Sequence, residues 1–134
     1  MVLLAFLCAF LSFSRCGLLM PKDVHNENTG IVLTLNSISS TGLVYTVDNQ
    51  TEEVCTYGEE YVLEKRVSGT WCQIETKADD VVWKLIQYQL NPSEHRSHSI
   101  NWEYLYGVLD CGYYRITLTV NENTTISAEY KIDQ

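Results

Sequence analysis

The chain has 134 residues, about the length of one domain, and its 46% hydrophobic and 19% charged residues are the balance of a folded globular protein, which excludes disorder. A net charge of −8 excludes nucleic acid and anionic lipid surfaces as partners, because affinity for either comes mostly from Lys and Arg. Nine tyrosines and three tryptophans tilt local propensity toward strands.

Residues 1–14 form an almost unbroken apolar run without a charged side chain. The run is shorter than the ~20 residues that span a bilayer, and it reads as an export signal. Ser12-Phe13-Ser14 puts small residues at the two positions a signal peptidase inspects, so cleavage is expected before Arg15. A lipoprotein signal, with Cys16 lipidated and followed by Gly17, is the competing reading. Residues 15–29 carry Lys22, Asp23, Asn26, Glu27 and Asn28 and suit a polar tether. One domain is expected over 30–134, with no transmembrane span in it.

From Gly30 onward, short runs of period 2 are broken by turn residues every ~8–12 positions, the pattern of an all-β sandwich. Ile31, Leu33 and Leu35 predict a first strand, closed by Ser39-Ser40-Thr41-Gly42. Leu43, Tyr45 and Val47 predict the next. Tyr61, Leu63 and Val67 lead into Ser68-Gly69 and a strand from Thr70, a hairpin whose Gly69 takes φ > 0. Residues 81–90 are apolar on both parities, which predicts a strand buried on both faces or crossing between sheets, stopped by Asn91-Pro92. His98 to Trp102 gives a short strand, with no more than a helical turn near Glu103 to Tyr106. In the last two strands, Tyr114, Ile116, Leu118 and Val120 share one face, as do Ile126, Ala128, Tyr130 and Ile132.

Asp110-x-Gly112-x-Tyr114-x-Ile116 has the layout of a tyrosine corner, where a phenol returns to backbone upstream and pins the connection between two sheets. Together with Tyr57-Gly58, Gly69-x-Trp71, Ile100-x-Trp102 and Tyr106-Gly107-x-Leu109, this resembles a bacterial immunoglobulin-like domain family of small exported Gram-positive proteins, over about Gly30 to Asp133. The resemblance implies an immunoglobulin-like antiparallel β-sandwich of seven or eight strands and carries no catalytic residue. Its motifs are structural: Gly69, Trp71, Trp102, Asp110, Gly112 and Tyr114. A more distant resemblance, in strand order and the Gly-x-Tyr opening, is to immunoglobulin-like proteinase inhibitors, without an inhibitory loop motif.

Exported thiols meet oxidants, so disulfides are considered for Cys55, Cys72 and Cys111. If Val67 faces Thr70 across the turn, Cys72 faces Lys65 and Cys55 lies about 30 Å away, beyond the ~7 Å Cα limit of a bridge. Cys111 is then the common member of any bridge, with Cys55 or Cys72, and all-free cysteines stand beside that reading. His95-x-x-His98 could suggest a metal, but no Cys-x-x-Cys or third nearby histidine completes the four ligands of a zinc site, and the pair reads as a solvated loop. The acidic pairs Glu52-Glu53, Glu59-Glu60 and Asp79-Asp80 lack calcium-loop spacing and read as solvated surface. There is no Gly-x-Ser-x-Gly elbow and no cysteine in an activating context. Asn49-Gln50-Thr51 and Asn123-Thr124-Thr125 match glycosylation sequons at turns.

No enzyme activity and no cofactor are expected. The expected role is a binding or structural module at the bacterial cell surface, whose partner is an unknown protein or wall component. The alternatives are a proteinase inhibitor and a carbohydrate-binding module using exposed Trp71, Tyr88 or Tyr113.

Overall fold

The computed structural model describes residues 29–78 and 81–133; the expected signal 1–14, Cys16, the tether up to residue 28, and Asp79-Asp80 lie outside them. The elements are β1 (Ile31–Ile38), β2 (Gly42–Asn49), β3 (Cys55–Val67), β4 (Thr70–Gln73), β5 (Gln87–Leu90), β6 (His95–Asn101), α1 (Glu103–Tyr106), β7 (Gly112–Val120) and β8 (Thr124–Ile132). These eight strands make a sandwich. One sheet has the order β1-β2-β6, the other β4-β3-β7-β8, with β5 also paired to β3. Every pairing is antiparallel.

Alternation decides which side of each strand enters the core, because successive side chains point to opposite faces. Leu43, Tyr45 and Val47 from β2 meet Tyr57, Tyr61 and Leu63 from β3, Ile116, Leu118 and Val120 from β7, and Ile126, Tyr130 and Ile132 from β8. A fully buried Leu, Ile or Val contributes about 1.5–3 kcal/mol. Trp102 is completely buried, and its indole N–H donates to the Ser40 carbonyl at 2.9 Å. At Gly42 the carbonyl of Ile100 occupies the place a Cβ would take, so β2 and β6 approach as they do only because this residue is glycine.

The β3–β4 hairpin has the register Val67↔Thr70 and Lys65↔Cys72, closed by Ser68 and Gly69 at φ 52° and 80°. Positive φ at both turn residues matches the twist of the flanking strands. The ends of the sandwich are distinct. Ile31 pairs with Asn49 at the end where β3 begins, whereas Ile132 pairs with Gly112 at the other.

The structure corrects the expectation for residues 81–90. Only Gln87–Leu90 is strand; residues 81–86 are irregular. Val82 and Leu85 stand in solvent at 88% and 104% exposure. An apolar run without alternation does not say where its side chains go. β3 is also longer than its alternation suggested, reaching back to Cys55.

On the outer face of the larger sheet, Glu64 and Arg115 stand opposite each other on β3 and β7. Arg115 Nε donates to Glu64 Oε1 at 3.1 Å and Nη2 to Oε2 at 2.8 Å. Both side chains are buried. The Trp71 ring lies 4.6 Å from the Arg115 guanidinium.

An aromatic cluster and a strap at the open side of the sandwich

The course of β3 creates the candidate site. Its pairing with β7 jumps from Tyr57↔Val120 to Tyr61↔Leu118, so three residues, 58–60, stand against one on the partner strand. This bulge keeps both Tyr57 and Tyr61 on the core side while displacing Glu59 and Glu60 from the ladder. On its other edge β3 pairs with β5 over Cys55–Gly58 and with β4 over Glu64–Val67. The intervening stretch, 59–63, has no strand beside it. The chain crosses this gap between β4 and β5, and Trp83 packs edge-on against Tyr61 with ring centroids 5.0 Å apart.

Next to this gap, four strands bring four rings together. Tyr45 comes from β2, Tyr57 from β3, Tyr88 from β5 and His98 from β6. The His98 ring lies 5.1 Å from Tyr45, 4.6 Å from Tyr88 and 5.5 Å from Tyr57, and its Nε2 shares a 2.7 Å hydrogen bond with the Tyr57 hydroxyl. The Tyr88 hydroxyl donates to Glu59 Oε1 at 2.9 Å, and the Arg96 guanidinium sits 5.4 Å from the Tyr88 ring.

The electrostatics follow from burial. The Tyr57 hydroxyl is pushed up to about 12 by desolvation, partly opposed by Arg96. Tyr45 and Tyr61 are raised for the same first reason. Tyr88 is raised mainly because its proton is held by the Glu59 carboxylate. His98 is lowered by burial, with the Arg96 charge acting in the same direction and Glu59 against it. The rings are therefore neutral at pH 7: they tie the two sheets together across the open side, and none is poised to exchange a proton there.

The segment 81–86 acts as a strap between two grooves. One, of about 530 Å³, is lined by Tyr57, Glu59, Glu60, Trp83, Lys84 and Glu122 among others. The other, of about 320 Å³, includes Tyr45, Glu59, Tyr61, Trp83, Lys84 and His98 in its walls. Glu59, Trp83 and Lys84 line both.

The residues singled out in the sequence lie mostly elsewhere. Tyr114 is buried at the opposite end, on β7 just after Gly112, and its hydroxyl donates to the Asp110 carbonyl at 2.7 Å. Gly69 closes the β3–β4 turn, with Trp71 two residues on. Trp71 lies under two guanidinium groups, with Arg66 at 5.9 Å and Arg115 at 4.6 Å, and Lys131 lies 5.6 Å from the Tyr113 ring. Cations thus already lie over the rings a sugar would stack on, and Tyr88 is held in the cluster on the far side of the sheet. His95 pairs with Asp48 and His98 with Tyr45, on opposite faces of β6, so the two imidazoles do not converge. Among the described residues no group of three or more His, Cys, Asp or Glu could hold a metal.

Of the alternatives the sequence leaves open, a bridge from Cys111 to Cys55 or Cys72 is not made. Cys55 and Cys111 are free thiols, one buried and one exposed. The registers give the reason. Cys55 starts β3 at the end where β7 finishes, and Cys111 precedes β7 at the other. Lys65 separates Cys72 from Tyr114, so Cys111 leaves a strand two spacings, about 10 Å, from Cys72. The first sequon is also structural: Asn49 is completely buried and its amide donates to the Glu53 and Leu90 carbonyls.

The ring cluster escaped sequence reasoning because its members come from four strands. The one local signal was parity, since His98 shares the inward side of β6 with Ile100.

Comparison with known proteins gives a family match. The family described as "Bacterial Ig-like domain" matches residues 27–131. No curated protein matches the sequence. Among solved structures, the archaellum periplasmic stator protein FlaG from Sulfolobus acidocaldarius is 18% identical, with 75% of this chain covering 99% of that one at a TM-score of 0.47. The FlaF and FlaG stator complex from the same organism gives 15% identity, 81% and 95% coverage, and a TM-score of 0.50. A β-glucosidase from Listeria innocua is 15% identical, with 78% of this chain covering 16% of the enzyme at a TM-score of 0.40. At these identities the likeness is one of fold.

Proposed function

The chain belongs to the bacterial Ig-like domain family, and from that premise we propose that it is a non-catalytic binding module of the bacterial cell surface, which holds a protein partner at the strap formed by residues 81–86. The observation that carries this reading is the exposure of Val82 and Leu85 beside the unpaired stretch of β3. Two apolar side chains left in solvent on one short segment, with Leu85 in the wall of a groove, are the feature expected of an interaction site rather than of an idle loop. The acidic balance of the chain supports a protein partner over an anionic wall polymer.

The test is retention of the purified full chain on intact bacterial cells that lack their own copy. Leu85→Ser and Val82→Ser should lower retention by about tenfold together, as expected for the loss of one or two buried apolar anchors, and leave the circular dichroism spectrum unaltered. Treating the cells with protease before binding should abolish retention of the parent chain. Retention that survives both treatments sinks the reading.

A further inference from the structure

We infer that the partner segment docked on the strap is basic, with an apolar side chain for the Val82 and Leu85 surface flanked by lysine or arginine. This inference rests on the reading above and adds the chemistry of the partner. The groove beside Leu85 is walled by Glu59, Glu60 and Glu122 against a single lysine, Lys84. Glu59 already accepts the Tyr88 hydroxyl, which fixes its carboxylate at the groove. Glu60 and Glu122 are exposed, and neither forms a salt bridge within 4 Å among the described residues. The docking side therefore has an apolar centre and an acidic rim with charge to spare, on a chain of net charge −8. A partner of the same sign is repelled on approach, while a basic one is drawn in and can seat a cation against the half-buried Trp83 ring that lines the groove. An uncharged apolar partner would leave the rim carboxylates partly desolvated and without cations, and a second copy of this chain, itself at net charge −8, would be repelled.

The test uses the full chain and three synthetic peptides of equal length that alternate leucine with lysine, glutamate or serine, with affinity read by calorimetry. The lysine–leucine peptide should bind, and raising salt from about 0.05 to about 0.5 M should weaken it severalfold, because the rim carboxylates are solvent-exposed and screened. Glu60→Gln with Glu122→Gln should weaken binding about tenfold, whereas the same loss of charge on β8, Glu129→Gln with Asp133→Asn, should leave it unaltered. Equal binding of the serine or glutamate peptide overturns the inference, as do indifference to the rim substitutions and self-association of the chain in place of peptide binding. The two readings fail separately. If Leu85→Ser abolishes cell retention while the rim variant keeps it, the partner chemistry alone is wrong. If Leu85→Ser changes neither retention nor peptide affinity, the strap is not the docking site.

Discussion

Replacing Glu64 by Gln removes one charge from the buried pair on the larger sheet and leaves nearly the same volume. The Arg115 guanidinium would keep a neutral amide oxygen where it now has a carboxylate at 2.8 and 3.1 Å. Both partners are sequestered, with side-chain exposures of 2% for Glu64 and 9% for Arg115, so water cannot replace the lost charge cheaply. Breaking a buried pair by removing one member typically costs about 3–5 kcal/mol. A domain of this size shifts its midpoint by about 4–8 °C per kcal/mol, so the variant should melt about 12–40 °C lower. Replacing both members with apolar residues, Glu64→Leu with Arg115→Met, should recover most of this loss, because desolvation is then no longer charged to either side chain. Urea unfolding of the parent, the two single variants and the double variant makes a thermodynamic cycle. A loss below about 1 kcal/mol for Glu64→Gln, or a coupling term near zero, would refute the claim that the pair acts as a buried unit.

Two tyrosines make a contrasting pair. Tyr114→Phe removes the hydroxyl bound to Asp110 and should cost about 1 kcal/mol in urea denaturation. Tyr130→Phe should cost nothing or stabilise, because its buried hydroxyl has no partner among the described residues. Because His98 is lowered in the folded state, the unfolded chain binds its proton more readily just below about pH 6.5. The stability it contributes is complete above that pH and is lost as pH falls through the folded value; urea midpoints at about pH 7.5 and pH 5 should diverge less in His98→Gln than in the parent. With a thiol-specific dye, Cys111 should label rapidly in the native protein and Cys55, buried and with its thiol raised by desolvation, only on unfolding. Gly42→Ala should destabilise by about 1–3 kcal/mol, because its methyl meets the Ile100 carbonyl.

The sequence revealed the sandwich where alternation was clean. β2 and β8 bury one parity and mostly expose or half-bury the other, and β7 buries Tyr114, Ile116, Leu118 and Val120 as a set although Arg115 and Thr117 on its other side are buried too; this pattern is local. The Val67↔Thr70 register was legible because a two-residue turn with glycine admits few geometries. Residues 81–86 defeated the same logic, since Val81, Val82, Trp83, Leu85 and Ile86 give no parity, and hydrophobicity alone does not separate an inserted strand from an exposed strap. The bulge at 58–60 was hidden as well: Gly58-Glu59-Glu60 marks a break in the pattern, but the two extra residues exist only relative to β7. The ring cluster needs the order of both sheets before His98 can be placed among three tyrosines. The hairpin register alone separates Cys55 from Cys72, whereas the place of Cys111 depends on the strand order, which no local pattern carries.

The chain enters the sandwich at Ile31 and leaves it at Ile132, at opposite ends of the strands. Tension drawn through these two points is directed along the strand axes, so β1 would have to slide past β2, and β8 past β7, with many backbone bonds strained in parallel. Peeling, which breaks such bonds one after another, would need a pull from the side. A unit threaded this way yields less readily to a pull along its strands than to one from the side.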